Sequence, residues 1–187
     1  MFHEHRSAKI NVRLIVILMV IAVALGASLV VARQVRRNIL AARDLAAGQA
    51  AYDKADWPGA VRHLREYLGR KPDDIATLKK YGRAVLSVRP LEVSNIAGAI
   101  SAYRRVIQVD PQDANAYTEL AELYAAAGNA EELAYIARTR LEQDPNHLQA
   151  PLWLADALVR MNKTEEARQT LEPFIERLDA LPEKPDR

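Results

Sequence analysis

The chain is 187 residues long and 50% hydrophobic, with 7 Gly, no Cys and a formal net charge of +2. It can form no disulfide framework, and its low Gly content with abundant Ala and Leu points to packed helices rather than a turn-rich β fold. Residues 33–90 hold 13 Lys/Arg and 6 Asp/Glu (net +7), whereas residues 91–187 hold 10 and 17 (net −7); the part beyond residue 32 is therefore neutral but polarised, which argues against nucleic acid as a partner.

The N-terminal tail, residues 1–13, carries Arg6, Lys9 and Arg13 against one Glu. Residues 14–32 then run 19 positions without a charge. About 20 apolar residues match a bilayer core, while the apolar region of a secretory signal is shorter, about 7–15. The expectation is an uncleaved, single-pass transmembrane helix over 14–32 in a bacterial inner membrane, followed by a juxtamembrane helix over 33–40. Arg33, Arg36 and Arg37 lie beyond the span, so the cation count nearly balances across it. The short cationic tail resists translocation, which tips the expected orientation towards a periplasmic (extracytoplasmic) C-terminal part. Small residues four apart, Ala22 with Gly26 and Ala24 with Ser28, favour close helix pairing and hence a homo-oligomer. No Pro or Gly interrupts residues 33–47, so the helix should continue into the next element.

From residue 41 the sequence repeats. Gly48, Gly82, Ala121 and Ala155 are spaced 34, 39 and 34 residues apart, and Ala60, Ala99, Leu133 and Ala167 are spaced 39, 34 and 34. Both series contain the same long step, which places one insertion within residues 87–95. A fixed period of this size marks a solenoid of stacked units. Each unit reads as two helices. In the first, Asp56 is a good N-cap, Pro58 suits a first helical turn, and Ala60, Leu64, Tyr67 and Leu68 have helical spacing. Pro72, Pro111 and Pro145 close three of the units. Expected repeat bounds are 41–74, 75–113, 114–147 and 148–181, within an array over 41–182, with a polar tail over 183–187. Pro173 inside the last helix should bend it.

The pattern resembles the tetratricopeptide repeat (TPR), a 34-residue helix–turn–helix module, and in particular the membrane-anchored bacterial proteins that carry it. The resemblance implies an all-α fold, a superhelix of about four helix pairs behind the transmembrane helix. Asp44 departs from the family by standing where a large apolar residue is usual. The third repeat inverts the usual sizes, with Leu133 large and Ala137 small, which reads as a volume-conserving swap on one helix face.

In that family the first helix of each repeat lines a groove that binds a protein or peptide. By register the lining positions are Gln49, Tyr52 and Asp53, then Lys79, Arg83 and Leu86, then Asn115, Thr118 and Glu122, then Gln149, Leu152, Asp156 and Arg160. Lys79 and Arg83 lie four apart on one face and suit an acidic segment. Glu119 stands where the carboxylate-clamping members of the family have Asn, so that clamp is not expected. Leu91 and Val93 in the insertion offer a small apolar contact.

Nothing in the sequence suggests catalysis, a metal or a cofactor. There is no Cys, no glycine-rich phosphate loop and no GxSxG. Glu131-Glu132 and Glu165-Glu166 fit first-turn positions where carboxylates favour the helix dipole. The expected function, supplied by the resemblance, is that of a membrane-anchored adaptor or scaffold in envelope biogenesis, secretion or complex assembly. The alternatives are a self-assembling structural protein and the N-terminal part of a larger one.

Overall fold

The computed structural model describes residues 12–179 and is all-helical. Eight helices are described: α1 (Val12–Asp53), α2 (Trp57–Leu68), α3 (Ile75–Ser87), α4 (Val93–Val109), α5 (Ala114–Ala126), α6 (Ala130–Gln143), α7 (Ala150–Arg160) and α8 (Thr164–Asp179). Two compact units divide at Met1–Arg43 and Asp44–Arg187.

The first unit corrects an expectation. Among the described residues no helix is long and apolar enough to cross a membrane, so the inner-membrane location does not hold. Helix α1 carries exposed Arg33, Arg36 and Arg37. Arg6 and Lys9 lie outside the described residues, as do the side chains of Arg13, residues 14–18, Val20 and Ala22.

In the second unit each helix from α2 to α8 packs on the next. The inter-helix spacing is set by the two small-residue series. A Cβ on Gly48 would stand 2.6 Å from Leu64 Cδ2 and 3.2 Å from the Leu64 nitrogen. One on Gly82 would stand 2.8 Å from Tyr103 Cε2 and 3.0 Å from Cζ. Ala60, Ala99 and Leu133 are wholly buried, and Ala121 is 1% exposed. These contacts also explain the inverted third repeat. Where the first series has Gly, the residue in register on the second helix is large: Leu64 or Tyr103. Where it has Ala121, the corresponding residue is Ala137, and Leu133 supplies the missing volume one turn earlier.

Turn chemistry is local and repeats with the period. Asp56, Asp74 and Asp113 accept from the amides three residues on, at 3.0, 3.1 and 3.0 Å, and so cap α2, α3 and α5. The turn inside the first, third and fourth pairs is a left-handed residue at Ala55, Gly128 or Asn162. The next amide reaches back to a carbonyl five residues earlier: Asp56 to Ala51, Asn129 to Tyr124, and Lys163 to Leu158. This closes the carbonyls at a helix end in the manner of a Schellman motif. The second pair has no such residue, because its turn is the insertion. Arg89 instead donates to the Leu86 and Val88 carbonyls at 2.7 and 3.0 Å, and Asn95 Nδ2 donates to Val85 O at 3.1 Å. Pro173 lies within α8 without ending it. Asp44 is matched by Arg70, whose Nη1 lies 2.5 Å from its carboxylate.

Candidate functional site

The expected lining residues fall on α1, α3, α5 and α7, with Gln149 just ahead of α7, and ion pairs tie Lys79 and Arg83 of α3 to Asp113 and Glu119 rather than to the lining residues expected on α5. Lys79 pairs with Asp113, the N-cap of α5. Arg83 Nε lies 3.7 Å from Glu119 Oε1. Both cations therefore tie α3 to α5, Lys79 at its N-cap and Arg83 within it. An acidic partner would have to displace an intramolecular carboxylate at each. Burial pushes the Asp113 carboxyl up, but the bond from Lys79 and the Ala116 amide outweigh it and hold the group below the usual carboxylate range.

Beneath this pair lies a residue the sequence did not single out as a site. Tyr103 projects from α4 past Gly82, is wholly buried, and its hydroxyl has no hydrogen-bond partner among the described residues. Burial first, then the Glu119 carboxylate, hold the phenol strongly neutral against the opposing Arg83 charge.

The remaining expected positions are more open. Tyr52 stacks edge-on against Trp57 at 5.3 Å, with Lys80 Nζ 5.9 Å from its ring. Leu86 is half-buried against the core. Asn115 and Glu122 are exposed, and Leu152 is 50% exposed. Arg160 pairs with Asp156 at 2.9 Å and donates to Ala125 O, at the end of α5, at 3.2 Å. Leu91 and Val93 are exposed at the insertion.

His147 has a role that its residue type concealed. It stands in register with Asp113, and its Nδ1 accepts from the Ala150 amide at 3.0 Å, so the imidazole caps α7. The ring lies 5.3 Å from Trp153. Burial and then Arg140 depress its pKa, with Asp144 opposing. The neutral form is the one that can accept. A folded pKa below the unfolded ~6.5 means the cap stabilises above that value and is lost as pH falls through the folded one. Replacing His147 by Asp should therefore flatten the melting temperature between about pH 7 and 5. An unchanged slope in thermal melts would remove the imidazole from this role.

Among the described residues no three His, Asp or Glu are placed to hold a metal ion. The acidic pairs Glu131-Glu132 and Glu165-Glu166 sit in the first turns of α6 and α8.

A family model described as anaphase-promoting complex, cyclosome, subunit 3 matches residues 92–174. Among solved structures the chain is similar to MamA of AMB-1, at 18% identity and a TM-score of 0.55, over 72% of this chain and 76% of that one. It is similar to MamA of MSR-1 at 18% identity and a TM-score of 0.54, over 71% and 75%. The TPR2B domain of yeast Sti1, solved in complex with pHsp70, aligns at 21% identity over 76% and 99%, with a TM-score of 0.43. No curated protein matches the chain. At these identities the likeness is one of fold: an all-α solenoid of the tetratricopeptide kind.

Proposed function

We propose that the solenoid is a protein-interaction scaffold that holds a protein or peptide segment against α1, α3, α5 and α7. The observation that supports this best is the state of that face. Its cations are already neutralised from within, Lys79 by Asp113, Arg83 by Glu119 and Arg160 by Asp156. Half-exposed Leu152 and exposed Asn115 and Glu122 stand open beside them. A face of this kind favours an amphipathic segment over a strongly acidic one, because an acidic ligand would first have to break the existing pairs. Tyr52 supplies an aromatic surface near one end, of the sort that anchors partners.

Photo-cross-linking tests this. A photoreactive residue at Asn115 or Leu152 should capture a partner other than this chain in extracts of the source cells, whereas one at Glu131 on α6 should capture no such partner. Capture from Glu131 alone would refute the assignment of the inner face.

A further inference from the structure

The outer helices α2 and α4 border a second groove, of about 860 Å³. Arg65 and Arg104 line it, one repeat apart. The two are held in the same way. Arg65 Nε donates to Tyr81 Oη at 3.2 Å and its guanidinium lies 5.9 Å from the Tyr81 ring. Arg104 Nε donates to Tyr124 Oη at 2.5 Å and its guanidinium lies 5.4 Å from that ring. Fixed through Nε and the ring face, the Arg65 fork keeps its outer Nη edge for an anion, and the Arg104 fork turns its Nη2 loosely towards Glu132. Among the described residues Arg65 has no acidic partner, and Arg104 has only Glu132, at 3.8 Å. Leu68 and Ile100 give the groove apolar walls, and Gly98 adds no side chain to it.

The polarised charge of the chain becomes specific on this outer face. The position of Arg65 and Arg104 is occupied by Arg138 and then Glu172 in the later repeats. The position one turn further on reads Gly69, Gln108, Glu142, Glu176. Glu142 and Glu176 are exposed and have no ion pair among the described residues. They are one repeat apart, as the two arginines are. We propose that the Arg65–Arg104 groove docks the outer face of α6 and α8 of a second copy of this chain, with Glu142 and Glu176 meeting the two guanidiniums. Two Arg–Glu pairs, one repeat apart on each face, fix the register of the contact. Nucleic acid suits the groove less well, because it would bring a run of phosphates to a groove that Glu132 lines and where Arg104 and Arg105 already have acidic partners, whereas a second copy brings only two carboxylates.

The chain has no Cys, so introduced thiols report this contact alone. Full 187-residue chains carrying Gln108→Cys, in the groove one turn beyond Arg104, and Arg138→Cys, one turn before Glu142, mixed and treated with a short bismaleimide, should yield a cross-linked dimer at about 50 mM salt and roughly tenfold less at about 0.5 M. Sedimentation should show association weakened at least about tenfold by Glu142→Arg/Glu176→Arg, whose exposed sites leave the fold intact, and likewise by Arg65→Glu/Arg104→Glu. Mixing the two charge-reversed chains should restore it. Cross-linking no faster in the mixture than in either single-cysteine chain overturns the proposal. So does association that both reversals leave unchanged. A groove that serves a different acidic protein, or a nucleic acid, gives no copy-to-copy cross-link and is therefore an overturning outcome.

Discussion

Replacing Gly82 by Ala should lower the unfolding free energy by about 1–3 kcal/mol. Helix propensity alone would favour Ala by about 1 kcal/mol, so the sign is decided by packing. The new Cβ would lie 2.8 Å from the edge of the Tyr103 ring. That ring is wholly buried and part of the core, so it cannot swing aside as an exposed side chain would. Tyr103→Ala alone should cost about 3–5 kcal/mol through the cavity it leaves. The double variant should cost at least about 1 kcal/mol less than the sum, because removing the ring removes the clash. Urea denaturation of the four proteins measures this cycle, and strict additivity would exclude the close approach. The third repeat already contains the relieved combination, Ala121 with Ala137.

Asp113→Ala should cost about 2–3 kcal/mol, more than the ~1 kcal/mol expected for the equivalent cap change Asp56→Ala. The difference lies in the second task of Asp113. Its side chain is only 9% exposed, it accepts from the Ala116 amide, and it pairs with Lys79, whose own side chain is 25% exposed. Removing it uncaps α5 and strands a half-buried ammonium. The pH dependence follows from the depressed carboxyl pKa. The contribution is complete above the unfolded value of ~3.9 and disappears as pH falls through the lower folded value. Denaturation of the wild type and Asp113→Ala chains between about pH 6 and 2 should show their stabilities converging on acidification. A constant gap across that range would mean that Asp113 is not held as an anion.

The fold was legible because its information is periodic and local. One small residue per helix sets the spacing between helices, so Gly48, Gly82, Ala121 and Ala155 reveal the stacking from sequence spacing alone. Asp56, Asp74 and Asp113 act on amides three residues away and announce themselves as caps. The long step in both series located the insertion that now separates α3 from α4. The partners of Lys79 and Arg83 were not legible. Asp113 and Glu119 lie more than 30 residues further on, and which carboxylate a long flexible cation meets depends on how adjacent repeats pack. His147 was hidden by residue type, since imidazole is not a usual cap; its register with Asp113 was the available signal. The Arg65–Tyr81 and Arg104–Tyr124 pairs were hidden because the two tyrosines do not share a repeat position even though the arginines do. The uncharged run over 14–32 carried the inner-membrane expectation on length and hydropathy alone.

The unequal distribution of cross-links between repeats affects how the array comes apart. The second and third repeats are joined by Arg83–Glu119 and Arg104–Glu132, with Lys79 held to the N-cap of α5, and the first and second by Arg105–Asp73 and Arg65–Tyr81. Among the described residues no ion pair joins the third to the fourth. That junction rests on packing, on donation from Arg160 to Ala125 O and from Arg177 to Pro145 O, and on an imidazole cap that acid removes. In a linear array, stability is set neighbour by neighbour, so acid, by removing the His147 cap, should loosen the α7–α8 pair before the rest of the second unit. Amide exchange on acidification would then rise first in α7 and α8.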